Sequence, residues 1–104
     1  MKHIKKFTSS RLGDVAEYYA VTWLWDQGDE VFQNSGCSGP IDMLALKDNK
    51  IILIDVKTFQ NPCKETRLSY SSGVRRTKKQ IKMGVKILGF NPITRDLKFV
   101  EHKE

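Results

Sequence analysis

Residues 41–57 read IDMLALKDNKIILIDVK, two apolar runs that meet at Asp48-Asn49. That dipeptide is favoured in tight β-hairpins, so strands are predicted near 41–47 and 50–57. If Lys47 lies opposite Lys50, then Leu46 faces Ile51, Leu44 faces Leu53 and Asp42 faces Asp55. Like charges directly opposed in a sheet are destabilising. A chain that keeps them there is expected to place a cation between them. Lys57 lies two residues beyond Asp55 and therefore projects from the same face. Two carboxylates and an amine at one strand end point to metal-assisted hydrolysis.

The hairpin belongs to a short chain. Its 104 residues predict one domain spanning 1–104, with a core modest enough that dimerisation would add useful burial. The net charge of +6 favours an anionic partner, nucleic acid before an acidic membrane surface. The basic start, Met1 to Lys6, leads into no apolar stretch of signal-peptide length. The longest apolar run, Ile51 to Ile54, is too short to span a membrane. Cys37 and Cys63 form no close-spaced motif, and with His3 and His102 they lack zinc-ligand spacing. A reduced cytoplasmic protein is the expectation.

Thr8-Ser9-Ser10 offers helix N-caps, and residues 11–27 read as a helix closed by Gly28. Leu12, Val15, Ala16, Tyr19 and Trp23 recur at helical spacing and form its expected core face. Glu17 falls at the margin of that face, with Gly13 one turn earlier leaving space beside its carboxylate. Tyr18 and Trp25 fall on the other side, as surface, dimer-interface or base-contacting residues. Residues 30–33 form a short strand, followed by a small, polar loop over 34–40. The strand containing Ile51 to Ile54 is apolar on both faces, which predicts a central position. A second helix is expected from about Val74 to Met83, started near Ser71 or Ser72. Strands over 85–90 and 97–100 complete the order α-β-β-β-α-β-β.

Glu17 on the first helix, Pro40-Ile41-Asp42 entering one strand and Asp55-Val56-Lys57 ending the next resemble the PD-(D/E)xK nuclease superfamily. With the Ser35-Gly36 loop and the short length, the chain looks most like the archaeal and phage-type Holliday junction resolvases. It carries Asp55 where those enzymes usually have Glu. The resemblance implies an α/β (α+β) fold with a restriction-endonuclease-like core, a central mixed sheet flanked by helices. It implies a Mg²⁺-dependent DNA endonuclease, with Mn²⁺ as a substitute, acting on branched DNA as a homodimer. A phage-encoded member would work in its host's cytoplasm. The implied metal ligands are Glu17, Asp42, Asp55 and the Val56 carbonyl. Lys57 would act at the attacking water or the scissile phosphate. Ser35 is either a turn residue or, by the resemblance, a catalytic one. The broader alternatives are a repair, restriction or degradation nuclease that needs no junction, and a non-catalytic nucleic-acid-binding module.

The stretch from 64 to 80 carries Lys64, Arg67, Arg75, Arg76, Lys78 and Lys79 against a single acid, Glu65. Tyr70 and Ser72 are interspersed. Cations, hydroxyls and a helix start suit phosphate oxygens and give grip with little sequence reading. Gln80 is expected to face the site and hold a phosphate or a water.

Overall fold

The computed structural model describes residues 7–36, 38–59 and 75–101. Along the chain run α1 (Ser9–Asp26), β1 (Glu30–Gln33), β2 (Met43–Lys47), β3 (Lys50–Thr58), α2 (Lys78–Met83), β4 (Lys86–Phe90) and β5 (Leu97–Phe99). The order is the one predicted. The strands form one five-stranded sheet in sequence order, β1-β2-β3-β4-β5. Neighbours are antiparallel except β3 and β4, which run parallel and are joined through α2. A parallel pair needs such a crossover, because a tight turn cannot reverse the chain twice.

The hairpin has the expected register. Lys47 pairs with Lys50, Leu46 with Ile51, Leu44 with Leu53 and Met43 with Ile54. The turn residues Asp48 and Asn49 take φ values of 52° and 64°. This left-handed pair matches strand twist in a two-residue turn, and Asp and Asn tolerate it better than other side chains. β3 is the middle strand, as its two-sided apolar character requires.

α1 packs on one sheet face. Thr8 caps it by accepting from the Arg11 N–H at 3.1 Å, and Gly28, at φ 91°, lets the chain leave. Its buried residues are Ala16, Ala20, Val21 and Leu24, against Met43, Ala45, Ile54 and Leu88. The stripe is rotated from the expected one. Tyr19 is 42% exposed, and Leu12, Val15 and Trp23 are only half-buried. The reason is steric: Ala16 and Ala20 let the helix axis approach the sheet, while the bulky Tyr19 and Trp23 splay to its edge. There they meet Phe90 and Phe99 at ring separations of 5.3 and 5.9 Å. Leu24, 1% exposed, contributes roughly 1.5–3 kcal/mol by burial, so it and not Tyr19 anchors the helix. Lys47 adds a tie from the hairpin, donating to the Gln27 carbonyl at 2.7 Å.

α2 is shorter than predicted and starts later. Thr77 is its N-cap, in place of Ser71 or Ser72, which lie outside the described residues. No helix among the described residues is long and apolar enough to cross a membrane.

Candidate active site

β2 and β3 separate just beyond Met43, and the two acids stand at that fork. Asp42 N–H donates at 2.8 Å to the carbonyl of Ile54, the partner of Met43, so the regular register ends at Met43 and Asp42 stands one residue out of step with Asp55. The Asp42 side chain then folds toward β3, and its Oδ2 accepts from the Val56 N–H at 2.7 Å. An extended residue directs its N–H and C=O to the same side. The Val56 carbonyl therefore also faces the fork, where β2 no longer occupies that edge.

The two carboxylates share a hydrogen bond, and Asp42 is pushed up to about 7. Burial is the largest cause, followed by the hydrogen bond to Asp55. The Val56 N–H opposes the shift, while the Asp55 and Glu17 charges add to it. Glu17 is also raised, first by burial and then by the Asp14 and Asp55 charges. These acids crowd each other. Among the described residues the ion pair at the site comes from Lys57, whose Nζ lies 3.5 Å from Asp55 Oδ2.

Gln80 is the residue whose role the sequence places differently. It is 4% exposed, and its Nε2 donates to Asp55 Oδ2 at 2.8 Å and to the Pro40 carbonyl at 2.9 Å. Its Oε1 accepts from the Thr77 N–H at 2.9 Å, while its own N–H donates to Thr77 Oγ1 at 3.1 Å. This is a capping box whose third residue also clamps the site. Gln80 faces the site as expected, but its amide holds protein groups, where a phosphate or a water was expected.

The remaining expected residues divide. Glu17 and Asp42 line one polar cavity of about 360 Å³, together with Ser10, Asp14, Asn34, Gly36, Ser38 and Gly39. A Cβ added to Gly13 meets no heavy atom within 4 Å, so the space expected beside Glu17 is present. Ser35 is exposed in the loop and is not among the cavity's lining residues. That loop is organised by Asn34, which accepts from the Gly36 N–H and donates to the Ile41 carbonyl, each at 2.9 Å. Arg75, Lys78 and Lys79 are exposed around the start of α2. Arg76 is half-buried, and its Nη1 donates to the Val85 carbonyl at 3.0 Å, which fastens the entry of α2 to the start of β4. Lys64, Arg67, Tyr70 and Ser72 lie outside the described residues, as do Cys37, Cys63, His3 and His102.

Hard oxygen donors suit a small divalent cation, and Mg²⁺ typically takes one or two carboxylates and keeps several waters. Asp42, Asp55 and the inward Val56 carbonyl fit that requirement. Among the described residues no group of three acidic, His or Cys side chains is close enough to bind one ion together. Glu17 therefore acts on the pair through charge in this structure, with room in the cavity for water between them.

Comparison with protein families finds no matching family model, and comparison with curated proteins finds no match. Among solved structures, the chain is similar to a bacterial homing endonuclease, I-Ssp6803I, with a TM-score of 0.61 and 12% sequence identity. The match covers 88% of this chain and 64% of that one, so the chain spans about two-thirds of its neighbour's length. At this identity the likeness concerns the fold: the chain has a mixed five-stranded α+β architecture that is also found in a nuclease.

Proposed function

We propose that the protein is a metal-dependent DNA endonuclease with a PD-(D/E)xK active site. The observation that carries this reading is the hydrogen-bonded contact between the Asp42 and Asp55 carboxyl groups at a fork in the sheet, with Lys57 beside them. A stable fold gains nothing from two crowded carboxylates, and a binding surface for phosphate gains less. The fold's likeness to a homing endonuclease supports the same class of reaction.

Asp42, Asp55 and the Val56 carbonyl would hold a Mg²⁺ ion, or Mn²⁺ in its place. The ion would supply Lewis-acid stabilisation of the phosphorane charge and a more acidic water. Val56 N–H fixes one oxygen of Asp42, and Gln80 fixes one oxygen of Asp55, so each carboxylate is aimed before any ligand arrives. Glu17 orders water in the cavity it shares with Asp42. Lys57 steadies charge developing on the scissile phosphate, a role that suits a side chain half in solvent and already paired with Asp55. Arg75, Lys78 and Lys79 grip the phosphate backbone from the start of α2.

The preferred substrate is branched DNA such as a four-way junction, cut by a homodimer whose paired sites match the junction's two-fold symmetry. A second reading is a repair, restriction or degradation nuclease that needs no junction, and the fold's likeness to an endonuclease is compatible with it equally. A cleavage panel of four-way junction, flap, duplex and single strand, with and without Mg²⁺, tests both. Paired nicks in the junction with little duplex cutting support the first reading. Equal treatment of junction and duplex supports the second.

A further inference from the structure

β1 is an outer strand of the sheet, and the direction of its backbone groups follows from the hairpin beside it. Lys47 and Lys50 flank a two-residue turn and so exchange hydrogen bonds, and such bonds alternate along an antiparallel pair. Met43 and Ala45 therefore direct their N–H and C=O groups to β3, and Leu44 and Leu46 direct theirs to β1. Phe32 and Glu30, the partners of Leu44 and Leu46, point back at β2. The Asn34 N–H continues the alternation, donating to the Asp42 carbonyl at 2.9 Å. That leaves the N–H and C=O groups of Val31 and Gln33 on the open edge, where no backbone group of the described residues meets them.

Open edges are usually blunted by a lysine, a proline or a bulge. The opposite edge follows that rule, since β5 is short and carries Lys98 at its centre. β1 has neither residue, and its ladder to β2 is regular. It presents Phe32, 55% exposed. Met43, Ala45 and Ile54 pack on α1, so Phe32, Leu44 and Leu53, in register across β1, β2 and β3, share the other sheet face. An apolar row thus runs across three strands to the open edge. A cavity of about 270 Å³ lies beside it, lined by Phe32, Ile41, Met43 and Leu44 among others.

We propose that this edge is a dimer interface, occupied by β1 of a second copy in antiparallel pairing about a two-fold axis at Phe32. The pairing gives the homodimer of the proposed function its contact and rests on that part of the reading. One register satisfies the whole edge: Val31 opposite the partner's Gln33, and Gln33 opposite the partner's Val31. Sliding the strands to set Val31 or Gln33 against its own copy leaves part of the edge unpaired. The satisfied register places Phe32 against the partner's Phe32 in a non-hydrogen-bonded pair, where side chains lie closest and aromatic pairs stabilise. Glu30 falls opposite the partner's Asn34, so no like charges are opposed. The strand is its own complement, which favours a second copy over an unrelated chain. At about 4.8 Å between strands and 3.3 Å per residue, the two Asp42 Cα atoms would lie roughly 20 Å apart across the axis.

Sedimentation equilibrium of the full chain in EDTA, without DNA and over a range of concentrations, tests this. Wild type is expected to dimerise with rising concentration. Gln33→Pro removes an outward N–H and keeps the bonds to β2, so its dimer dissociation constant is expected to rise roughly 10-fold or more. Phe32→Lys and Phe32→Glu each set like charges against each other across the axis. Each is expected to be monomeric alone, and a mixture of the two to dimerise, which also shows that both fold. Wild type that stays monomeric, a dimer indifferent to all three substitutions, or a mixture that stays monomeric overturns the proposal. Cleavage is scored apart. A dimer with the expected behaviour that leaves DNA intact in Mg²⁺ keeps the interface and fails the nuclease reading. Cleavage by a protein that never dimerises fails the interface alone.

Discussion

Gln80 Nε2 donates to Asp55 Oδ2 at 2.8 Å from a helix the sequence places 25 residues away. The same side chain closes the capping box of α2 and holds the Pro40 carbonyl. Helix start, strand end and the loop into β2 are thus fastened through one amide. Gln80→Ala removes all of these bonds. Loss of the cap alone costs about 0.5–2 kcal/mol. Gln80→Glu keeps the cap, since Glu serves equally at that position, but turns a donor to Asp55 into an anion. At pH 8, Gln80→Glu is expected to melt below wild type and to recover toward it below about pH 5. Thermal denaturation across pH checks this; a Gln80→Glu deficit that does not vary with pH places the damage in the helix instead of the carboxylate contact.

Asp42 makes the metal-free fold depend on pH. Its folded-state value, about 7, lies above the ordinary 3.8, so the folded protein binds the proton more tightly than the unfolded chain. Stability from this group is complete below about pH 4 and is lost as pH rises through about 7. Asp42→Asn retains an oxygen for the Val56 N–H and adds a donor toward Asp55. The variant is expected to be more stable than wild type in EDTA at pH 8, by about 1 kcal/mol or more, and to lose cleavage. Added Mg²⁺ should raise the melting temperature of wild type at pH 8 and leave that of Asp42→Asn unmoved.

Gly89 sits against the Phe59 ring. A Cβ there would come within 2.3 Å of the ring, far inside any real contact. Phe59 is 3% exposed and belongs with Ile87 to a small cluster on the sheet face away from α1, so it has little room to retreat. Gly89→Ala is expected to cost roughly 1–3 kcal/mol, as overpacked cores do. Gly89 is also the β4 partner of Lys57. Cleavage measured well below the melting temperature should therefore fall as well, and a variant with normal stability would mean the ring moves aside freely.

The hairpin, its register and the element order follow from the sequence because they depend on local patterns: a turn dipeptide, an alternating apolar strand and a doubly apolar one. The closeness of Asp42 and Asp55 is legible because the register holds as far as Met43 and Ile54, although the ladder itself does not pair the two acids. The buried face of α1 is less so. Periodicity ranks Tyr19 and Trp23 with Ala16, but approach distance to the sheet favours the alanines and Leu24 and pushes the aromatic rings to the edge. The use of Gln80 depends on where a crossover helix lands, which no local spacing encodes. Its one available signal was Thr77-x-x-Gln80, the pattern of a capping box. Arg76 looked like a phosphate ligand because charge is visible in a sequence and a Val85 carbonyl waiting for it is not.

Asp55→Ala separates catalysis from binding. It removes a repulsive charge near phosphate, so DNA affinity in EDTA should be equal to wild type or tighter, while Mg²⁺-dependent cleavage should be lost. Cleavage of supercoiled plasmid and of a labelled four-way junction by wild type and Asp55→Ala, in Mg²⁺ and in EDTA, is the most direct test of the account. Nicking by wild type in Mg²⁺ alone, absent in the variant, is the predicted result. DNA left intact by folded wild-type protein in both Mg²⁺ and Mn²⁺, or cut equally well by Asp55→Ala, would contradict it.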